Sequence, residues 1–265
     1  MGDRTGIEWT DSTVNFWWGC TKVGPACDHC YAEAWDKRFG GAHWGLNVPR
    51  KKIKSAVALI RRLDNDYAYW SRDLAFHGLR DRRRRVFVQS MSDLFDLEAP
   101  VEWFEEAWNE IELSKRLTIQ IVTKRVSVVE KRLAEIGRTE WPQHVGLLIT
   151  VCNQQEVDRD IPRLLALKAK LNIPWVGISV EPMLDRISLT RINVACGWYD
   201  ALSTWRDVRD QFPGIDESLD WVICGGESGP HARDNGFEAN ARALLRQCRA
   251  AGVPFFGKQN VGKRP

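Results

Sequence analysis

Three cysteines, Cys20, Cys27 and Cys30, lie within 11 residues near the start of the chain. No fourth ligand with a matching spacing is obvious, and three thiolates suit a metal centre that keeps one coordination position open. Cysteine thiolates are the ligands of iron–sulfur clusters, and an open position is where a metal performs chemistry. The three cysteines therefore predict an iron–sulfur site with a reactive position.

Two other sites are compatible with the same residues. A structural zinc ion needs four ligands, which the three cysteines would supply together with His29 or His43. The chain has no second closely spaced pair of cysteines or histidines, which disfavours zinc. A redox pair of thioredoxin type would use Cys27 and Cys30 and leave Cys20 without a role.

The composition is that of an ordinary globular protein. The 265 residues are 44% hydrophobic and 28% charged, with a net charge of +3, which suits one large α/β domain or two small ones. The seven cysteines are an odd number, the N-terminus has no apolar signal core, and no run approaches the ~18 apolar residues of a membrane span. We therefore expect a reduced, cytoplasmic protein without a membrane segment.

Short apolar runs alternate with helical patterns along the chain, which indicates repeated βαβ units. Several runs are apolar at consecutive positions, as in a parallel sheet that is covered on both faces. The predicted strands are Val14–Gly19, Val86–Gln89, Thr118–Thr123, Val145–Val151, Trp175–Val180, Trp221–Cys224 and Pro254–Gly257. The predicted helices are Ala56–Arg62, Val101–Leu113, Val126–Ile136, Val157–Leu171 and Glu238–Ala251.

Polar residues follow nearly every predicted strand. The C-terminal ends of parallel strands lie on one face, and that face carries the site in α/β barrels and sheets. We therefore expect these residues to converge near the cysteines. The strand-end residues are Ser90, Ser92 and Asp93, then Lys124, Glu181, Gly225, Gly226, Glu227 and Lys258.

The predicted fold is a single α/β domain over residues 1–265, a partial or full TIM-like (β/α) barrel. The region 194–218 interrupts the strand–helix rhythm and contains Trp198, Tyr199 and Trp205. We interpret this region as an insertion or lid near the site.

Longer segments resemble one phage and bacterial family. This is the three-cysteine-motif family (phage Gp thirty-seven/sixty-eight type), described as a domain of unknown function and similar to the radical S-adenosylmethionine (SAM) superfamily. The resemblance covers nearly the whole chain, in order. The first cysteine gap, six residues long, departs from the superfamily's usual C-x-x-x-C-x-x-C spacing. The matching segments are Ile7–Phe16, Cys20–Glu33, Phe87–Phe95, Ile121–Arg125, Gly177–Pro182, Trp221–Pro230 and Pro254–Gln259.

The resemblance implies a barrel of radical SAM type and a chemistry. Three thiolates would hold a 4Fe–4S cluster whose fourth iron binds the amino and carboxylate groups of SAM. With one electron from a donor, cleavage of SAM would yield methionine and a 5′-deoxyadenosyl radical that abstracts a substrate hydrogen.

The resemblance also implies roles for individual residues. His29 occupies the position of the residue that lies against the adenine. Glu227, with Gly225 and Gly226, or alternatively the segment Ser90–Asp93, would bind the amino group of SAM. Lys124 or Arg125 would bind its carboxylate, and Glu181 would accept hydrogen bonds from the ribose. Lys258 is a further polar residue that we place at this site.

The substrate is not specified by any motif. Residues 50–85 are locally basic, and Tyr67, Tyr69 and Trp70 lie among them, so this region would suit nucleic-acid phosphates and bases. We therefore expect a nucleic-acid base or nucleotide as substrate, although a charge run such as Arg82–Arg85 is often only a solvated face. The alternatives are a zinc-stabilised nucleic-acid-binding module without catalysis, and a barrel that keeps a cluster for structure alone.

Overall fold

The computed structural model describes residues 2–76, 82–194, 197–203 and 217–262. The strands are β1 (Ser12–Val14), β2 (Trp17–Trp18), β3 (Lys51–Lys52), β4 (Arg84–Val88), β5 (Leu117–Thr123), β6 (Val145–Thr150), β7 (Val176–Val180), β8 (Ile192–Val194), β9 (Gly197–Tyr199), β10 (Trp221–Cys224) and β11 (Phe255–Gly257). The helices are α1 (Tyr31–Arg38), α2 (Ala56–Asn65), α3 (Tyr67–Phe76), α4 (Val101–Leu113), α5 (Val129–Glu135), α6 (Gln154–Leu171) and α7 (Phe237–Ala251). Single-turn 3₁₀ helices occur at Pro25–Cys27 and Val126–Val128.

Seven strands form a parallel sheet in the order β1-β4-β5-β6-β7-β10-β11. The prediction of an α/β protein with a parallel sheet is confirmed. Within the described residues the order has two ends, β1 and β11, so the sheet is compatible with a partial barrel. Two small antiparallel pairs, β2 with β3 and β8 with β9, lie outside this sheet.

The chain divides into two compact units. The first consists of Met1–Lys22, Ala32–Val122 and Val128–Gly146, and the second of Val23–Tyr31, Thr123–Ser127 and Leu147–Pro265. No helix of the described residues is long and apolar enough to cross a membrane.

The core of the first unit is aromatic. Phe104 and Trp108 of α4 are fully buried, with their ring centroids 5.9 Å apart. Trp108 also meets Trp141 edge-on at 5.2 Å, a geometry that aromatic quadrupoles favour. Burial of these large rings holds α4 within the core of this unit.

The first strand differs from the predicted Val14–Gly19. β1 ends at Val14, and the backbone then leaves the sheet at Asn15, which is fully buried. The side chain of Asn15 accepts a hydrogen bond from Met91 N at 2.8 Å and donates one to Ser90 Oγ at 3.0 Å. An apolar run cannot reveal this break, because a distant loop satisfies the polar groups of Asn15.

In the second unit, all six residues of β6 and all five of β7 are buried, as the continuous apolar runs predict. Helix α6 begins three residues before the predicted Val157. Asn153 caps it by accepting a hydrogen bond from Glu156 N at 2.9 Å, so the polar first turn is helical despite its lack of apolar periodicity.

The predicted lid, residues 194–218, is described only in part. Strands β8 and β9 form a short antiparallel hairpin that brings Asn193 opposite Trp198. Residues 195–196 and 204–216, including Trp205, lie outside the described residues.

Candidate functional site

The second unit contains the C-terminal ends of four neighbouring parallel strands, β6, β7, β10 and β11. Gly225 N donates to Val180 O at 3.0 Å, and Lys258 N donates to Cys224 O at 2.8 Å. The residues that follow β7, β10 and β11 therefore lie at one edge, which we call the strand-end edge. Within this unit, the polar strand ends do lie together.

Glu181 and Lys258 form an ion pair at the strand-end edge. The Lys258 Nζ lies 2.6 Å from Glu181 Oε2, and the two side chains are only 18% and 16% exposed. Ser179 Oγ donates to the other carboxylate oxygen at 3.3 Å. An ammonium and a carboxylate are thus presented side by side in a largely desolvated place, where charged hydrogen bonds are stronger than in water.

Lys124 is a second cation of this unit that lies beside the end of a strand. Its Nζ lies 3.4 Å from Thr150 Oγ1, the last residue of β6. The hydroxyl is buried with the rest of Thr150. The ammonium of Lys124 therefore lies at the end of β6.

Gly225 and Gly226 are packed against the chain itself. A Cβ on Gly226 would lie 2.5 Å from the backbone nitrogen of Val261, and one on Gly225 would lie 3.3 Å from Glu181 Cγ. Gln259 completes this contact, because its Nε2 donates to Gly226 O at 2.7 Å. Gly226 lets two backbone segments approach each other closely, and Gly225 lies against the side chains of Glu181 and Gln259. The ligand role that the sequence suggested for the two glycines stays a prediction.

Glu227 is buried and bound by an arginine that the sequence did not single out. Arg233 donates from Nε to Glu227 Oε2 at 2.9 Å, from its backbone N to the same atom at 2.8 Å, and from Nη2 to Oε1. Burial alone would raise the pKa of this carboxyl, but the hydrogen bonds from Arg233 outweigh it, so the pKa of Glu227 is lowered.

The same arginine reaches the cysteine loop, which we define as residues 23–30. Arg233 Nη1 donates to Asp28 Oδ2 at 2.9 Å, and Nη2 donates to Pro25 O at 3.0 Å. His29 Nδ1 lies 3.1 Å from Glu227 Oε2. Arg233 and Glu227 therefore tie the cysteine loop to the segment that follows β10. No spacing rule identifies Arg233, because its partners lie up to 208 residues away.

The other side of the cysteine loop lies against the start of α6. A Cβ on Gly24 would lie 2.7 Å from Glu156 Oε1, and Glu156 Oε2 accepts from Cys152 N at 2.8 Å. Burial, followed by the hydrogen bond and charge of Glu156, raises the pKa of the Cys152 thiol to about 12. The Cys152 thiol is therefore protonated at neutral pH, and Glu156 contacts both the Cys152 backbone and the cysteine loop.

Cys27 and Cys30 lie in the second half of the cysteine loop. Cys27 closes the 3₁₀ helix and is buried, whereas Cys30 is half-buried and directly precedes α1. Burial of the phenol, and then the electrostatic effect of its neighbours Cys30 and Glu181, raises the pKa of Tyr31 above its ordinary value. Although Tyr31 as a whole is 46% exposed, its hydroxyl end therefore lies in the electrostatic environment of Cys30 and Glu181.

The remaining predicted residues, Cys20, Ser90, Ser92 and Asp93, belong to the first unit. Ser90 bonds with Asn15, as described above. Ser92 Oγ donates to Trp17 O at 3.0 Å, and Asp93 Oδ1 accepts from Phe95 N at 3.0 Å. Cys20 is half-buried, and its Sγ lies 3.6 Å from Thr21 O. Within the described residues, no three His, Cys, Asp or Glu side chains are grouped so that they hold one metal ion.

The basic stretch at 50–85, also in the first unit, is partly paired with acidic residues of the chain. Arg50 is buried, and its Nε lies 2.7 Å from Asp96 Oδ2. These ion pairs involve six cations of the stretch, while its other described cations, among them Lys51, Lys54 and Arg72, take part in none of them. The pairs are Arg50 with Asp96, Lys52 with Glu106, Arg61 with Glu110, Arg62 with Asp3, and Arg82 and Arg85 with Asp11.

Comparison with known protein families assigns the chain to one of them. The model of a family described as "Protein of unknown function (DUF5131)" matches residues 4–264. The chain belongs to this family. The expected membership of a family of unknown function is thereby confirmed, whereas the phage link and the radical SAM resemblance stay predictions. No curated protein matches the chain.

Proposed function

We propose that this chain is an iron–sulfur enzyme of radical SAM type, acting on a substrate that carries a nucleobase or nucleotide. The observation that supports it best is the tether in the second unit. Arg233 and Glu227 fasten the loop of Cys27 and Cys30 to the segment after β10, and the Glu181–Lys258 pair lies at the end of the neighbouring strands. Thiols and polar strand ends are thus held in a fixed relation.

The donor set suits a cluster better than a single ion. Neither Cys27 nor Cys30 forms a disulfide, and neither thiol has a hydrogen-bond partner among the described residues. The cysteines of a 4Fe–4S cluster each bind a different iron, so they need not surround one point, as the four ligands of a structural zinc ion must. A cluster would use the three cysteines without the fourth protein ligand that a structural zinc ion needs.

Cys20, Cys27 and Cys30 would hold the cluster, as the sequence predicts. When bound, the cluster and SAM would supply reductive cleavage of SAM and hydrogen abstraction by a 5′-deoxyadenosyl radical. The chain's own residues would bind and orient SAM.

Two residues of the strand-end edge have the chemistry for that task. Glu181 accepts hydrogen bonds and suits ribose hydroxyls, whereas Lys258 donates and suits a carboxylate. Because the two residues pair with each other in the structure, binding would exchange part of that pair for ligand contacts. Lys124 would add a second cation for the carboxylate.

Glu227 takes a different role in this proposal from the one that the resemblance implied. Both of its oxygens already accept from Arg233, so its charge is used to fix the cysteine loop. The ammonium of SAM would then bind elsewhere, and the first-unit segment Ser90–Asp93 stays the predicted alternative.

Anaerobic reconstitution with iron and sulfide tests the proposal. We expect uptake of about four irons and four sulfides per chain, a brown protein, and formation of 5′-deoxyadenosine from SAM under reducing conditions. Cys20→Ala, Cys27→Ala and Cys30→Ala should each reduce iron uptake, whereas Cys248→Ala, a buried cysteine on α7, is the matched control. Unchanged uptake in all three variants would refute the proposal. Uptake without SAM cleavage would indicate a structural cluster.

A further inference from the structure

The second unit contains a cleft of about 740 Å³ that shares no residue with the predicted site. Three segments line it: the start of α6, the segment 186–193 after β7, and residues 243–247 of α7. A cleft of this volume lies in the range of small-ligand sites, roughly 300–1,000 Å³. The lining includes three arginines. Arg186 and Arg191 come from the segment 186–193, and Arg246 comes from α7.

The wall of the cleft is held by two glutamine side chains. Gln247 of α7 accepts from Leu189 N at 2.8 Å and donates to Ile187 O at 2.9 Å. Gln154 of α6 accepts from Ser188 N at 2.7 Å. Both glutamines thus fix the backbone of the segment 186–193 to a helix, so the arginines project from a preformed wall.

The three arginines carry no compensating carboxylate. Among the described residues, none of their guanidinium groups forms an ion pair, and no Asp or Glu lines the cleft. The carboxylate of Asp158, next to the lining, accepts from Gln154 Nε2 at 2.7 Å and from Asn193 Nδ2 at 3.1 Å. Asp158 thus forms no ion pair with the three arginines, and its single negative charge leaves the cleft with a net positive charge.

This arrangement contrasts with the basic stretch of the first unit, where six cations pair with carboxylates. Three like charges around one cleft repel each other, and a ligand with several negative charges relieves that repulsion. The planar guanidinium fork binds phosphate oxygens in pairs. The chemistry of the cleft therefore points to phosphate.

We propose that this cleft binds the phosphate groups of a nucleotide or of a nucleic-acid strand. Arg186, Arg191 and Arg246 supply the charge, and the wall set by Gln154 and Gln247 fixes their positions. Arg191 also lies over the ring of Trp198 at 5.7 Å, so its guanidinium is packed against an aromatic side chain. The proposal does not depend on the iron–sulfur chemistry.

Two probes separate the sources of phosphate. A fluorescent single-stranded oligonucleotide of about 12 nucleotides, a length typical of single-strand sites, is titrated by anisotropy, and ATP is titrated by calorimetry, both with purified protein. We expect at least one probe to bind, and the probe that binds identifies the source. Oligonucleotide affinity should fall with salt, with a slope near −2 for three phosphate contacts at about −0.7 each.

The variants Arg246→Gln and Arg191→Gln/Arg246→Gln should weaken binding by about tenfold or more per lost contact. Arg249→Gln is the matched control, because this exposed arginine of the same helix does not line the cleft. Melting temperatures of all variants should agree, since the side chains are exposed. Failure of both probes to bind, or equal losses in Arg249→Gln and Arg246→Gln, would overturn the proposal.

Discussion

Arg233 and Glu227 form a bidentate ion pair in which a 4% exposed carboxylate meets a guanidinium that also binds the cysteine loop. One arginine therefore stabilises a buried charge and positions a turn that carries two of the three predicted cluster ligands. The contribution of this ion pair to stability can be measured without any assay of catalysis.

Replacement of Arg233 by Ala should destabilise the protein. Glu227 would keep a buried charge without its guanidinium donors, although the backbone N–H of residue 233 would still donate to it. We expect a cost of about 2 kcal/mol, allowing for the partial exposure of Arg233. The free energy of unfolding from urea titration measures this. Arg242→Ala is the control, because its pair with Glu238 is exposed and should contribute only about 0.3–0.5 kcal/mol. Equal effects of the two substitutions would contradict the proposed tether.

The same pair predicts a pH dependence. The folded pKa of Glu227 is lowered from its ordinary value of 4.5, so its stabilisation is complete above that pH and is lost as the pH falls through the folded pKa. When the pH is lowered from neutral to below 4.5, the melting temperature of wild type should therefore fall further than that of Glu227→Gln. Glu238→Gln, an exposed glutamate, should behave like wild type. Parallel curves for wild type and Glu227→Gln would exclude this linkage.

Gly226→Ala separates a packing role from a ligand role. The added Cβ would meet the backbone of Val261, which cannot yield without a shift of the chain, so we expect a loss of about 1–3 kcal/mol in unfolding free energy. Gly6→Ala is the control, because a Cβ there meets nothing within 4 Å. If Gly226→Ala leaves stability unchanged and only weakens SAM binding, the glycine instead serves the ligand.

The buried thiols should resist alkylation. Burial raises the pKa values of Cys152 and Cys224 to about 12 and that of Cys248 to about 11, and the thiolate is the reactive form. In native, cluster-free protein at pH 8, iodoacetamide should label the half-buried Cys20 and Cys30 well before these three. Mass spectrometry of the peptides measures the order. Early labelling of Cys152 would show that its pocket opens.

The Glu181–Lys258 pair is predicted to bind SAM. Glu181→Gln and Lys258→Gln should each weaken SAM binding to the reconstituted protein by about tenfold, equivalent to 1.4 kcal/mol for one charged hydrogen bond. Lys131→Gln, an exposed lysine of α5, is the control. Calorimetry gives the affinities. Retained affinity in both variants would assign SAM to other residues while leaving the cluster proposal intact.

The sequence alone determined the periodic part of this protein. Consecutive apolar runs specified the buried strands β6 and β7, because burial on both faces needs apolar residues at every position. Strand-end polarity located Glu181 and Lys258 at one edge, because all ends of parallel strands point the same way. The three cysteines and the family segments likewise needed no structure.

Only the tertiary structure decided which partner each polar group has. Glu181 and Lys258 are 77 residues apart, and Arg233 and Asp28 are 205 apart, so no local pattern records either contact. The same holds for the basic stretch, six of whose cations pair with carboxylates, and for the arginines of the cleft, which pair with none among the described residues. Charge in a sequence is visible, but its neutralisation depends on side chains that folding brings together.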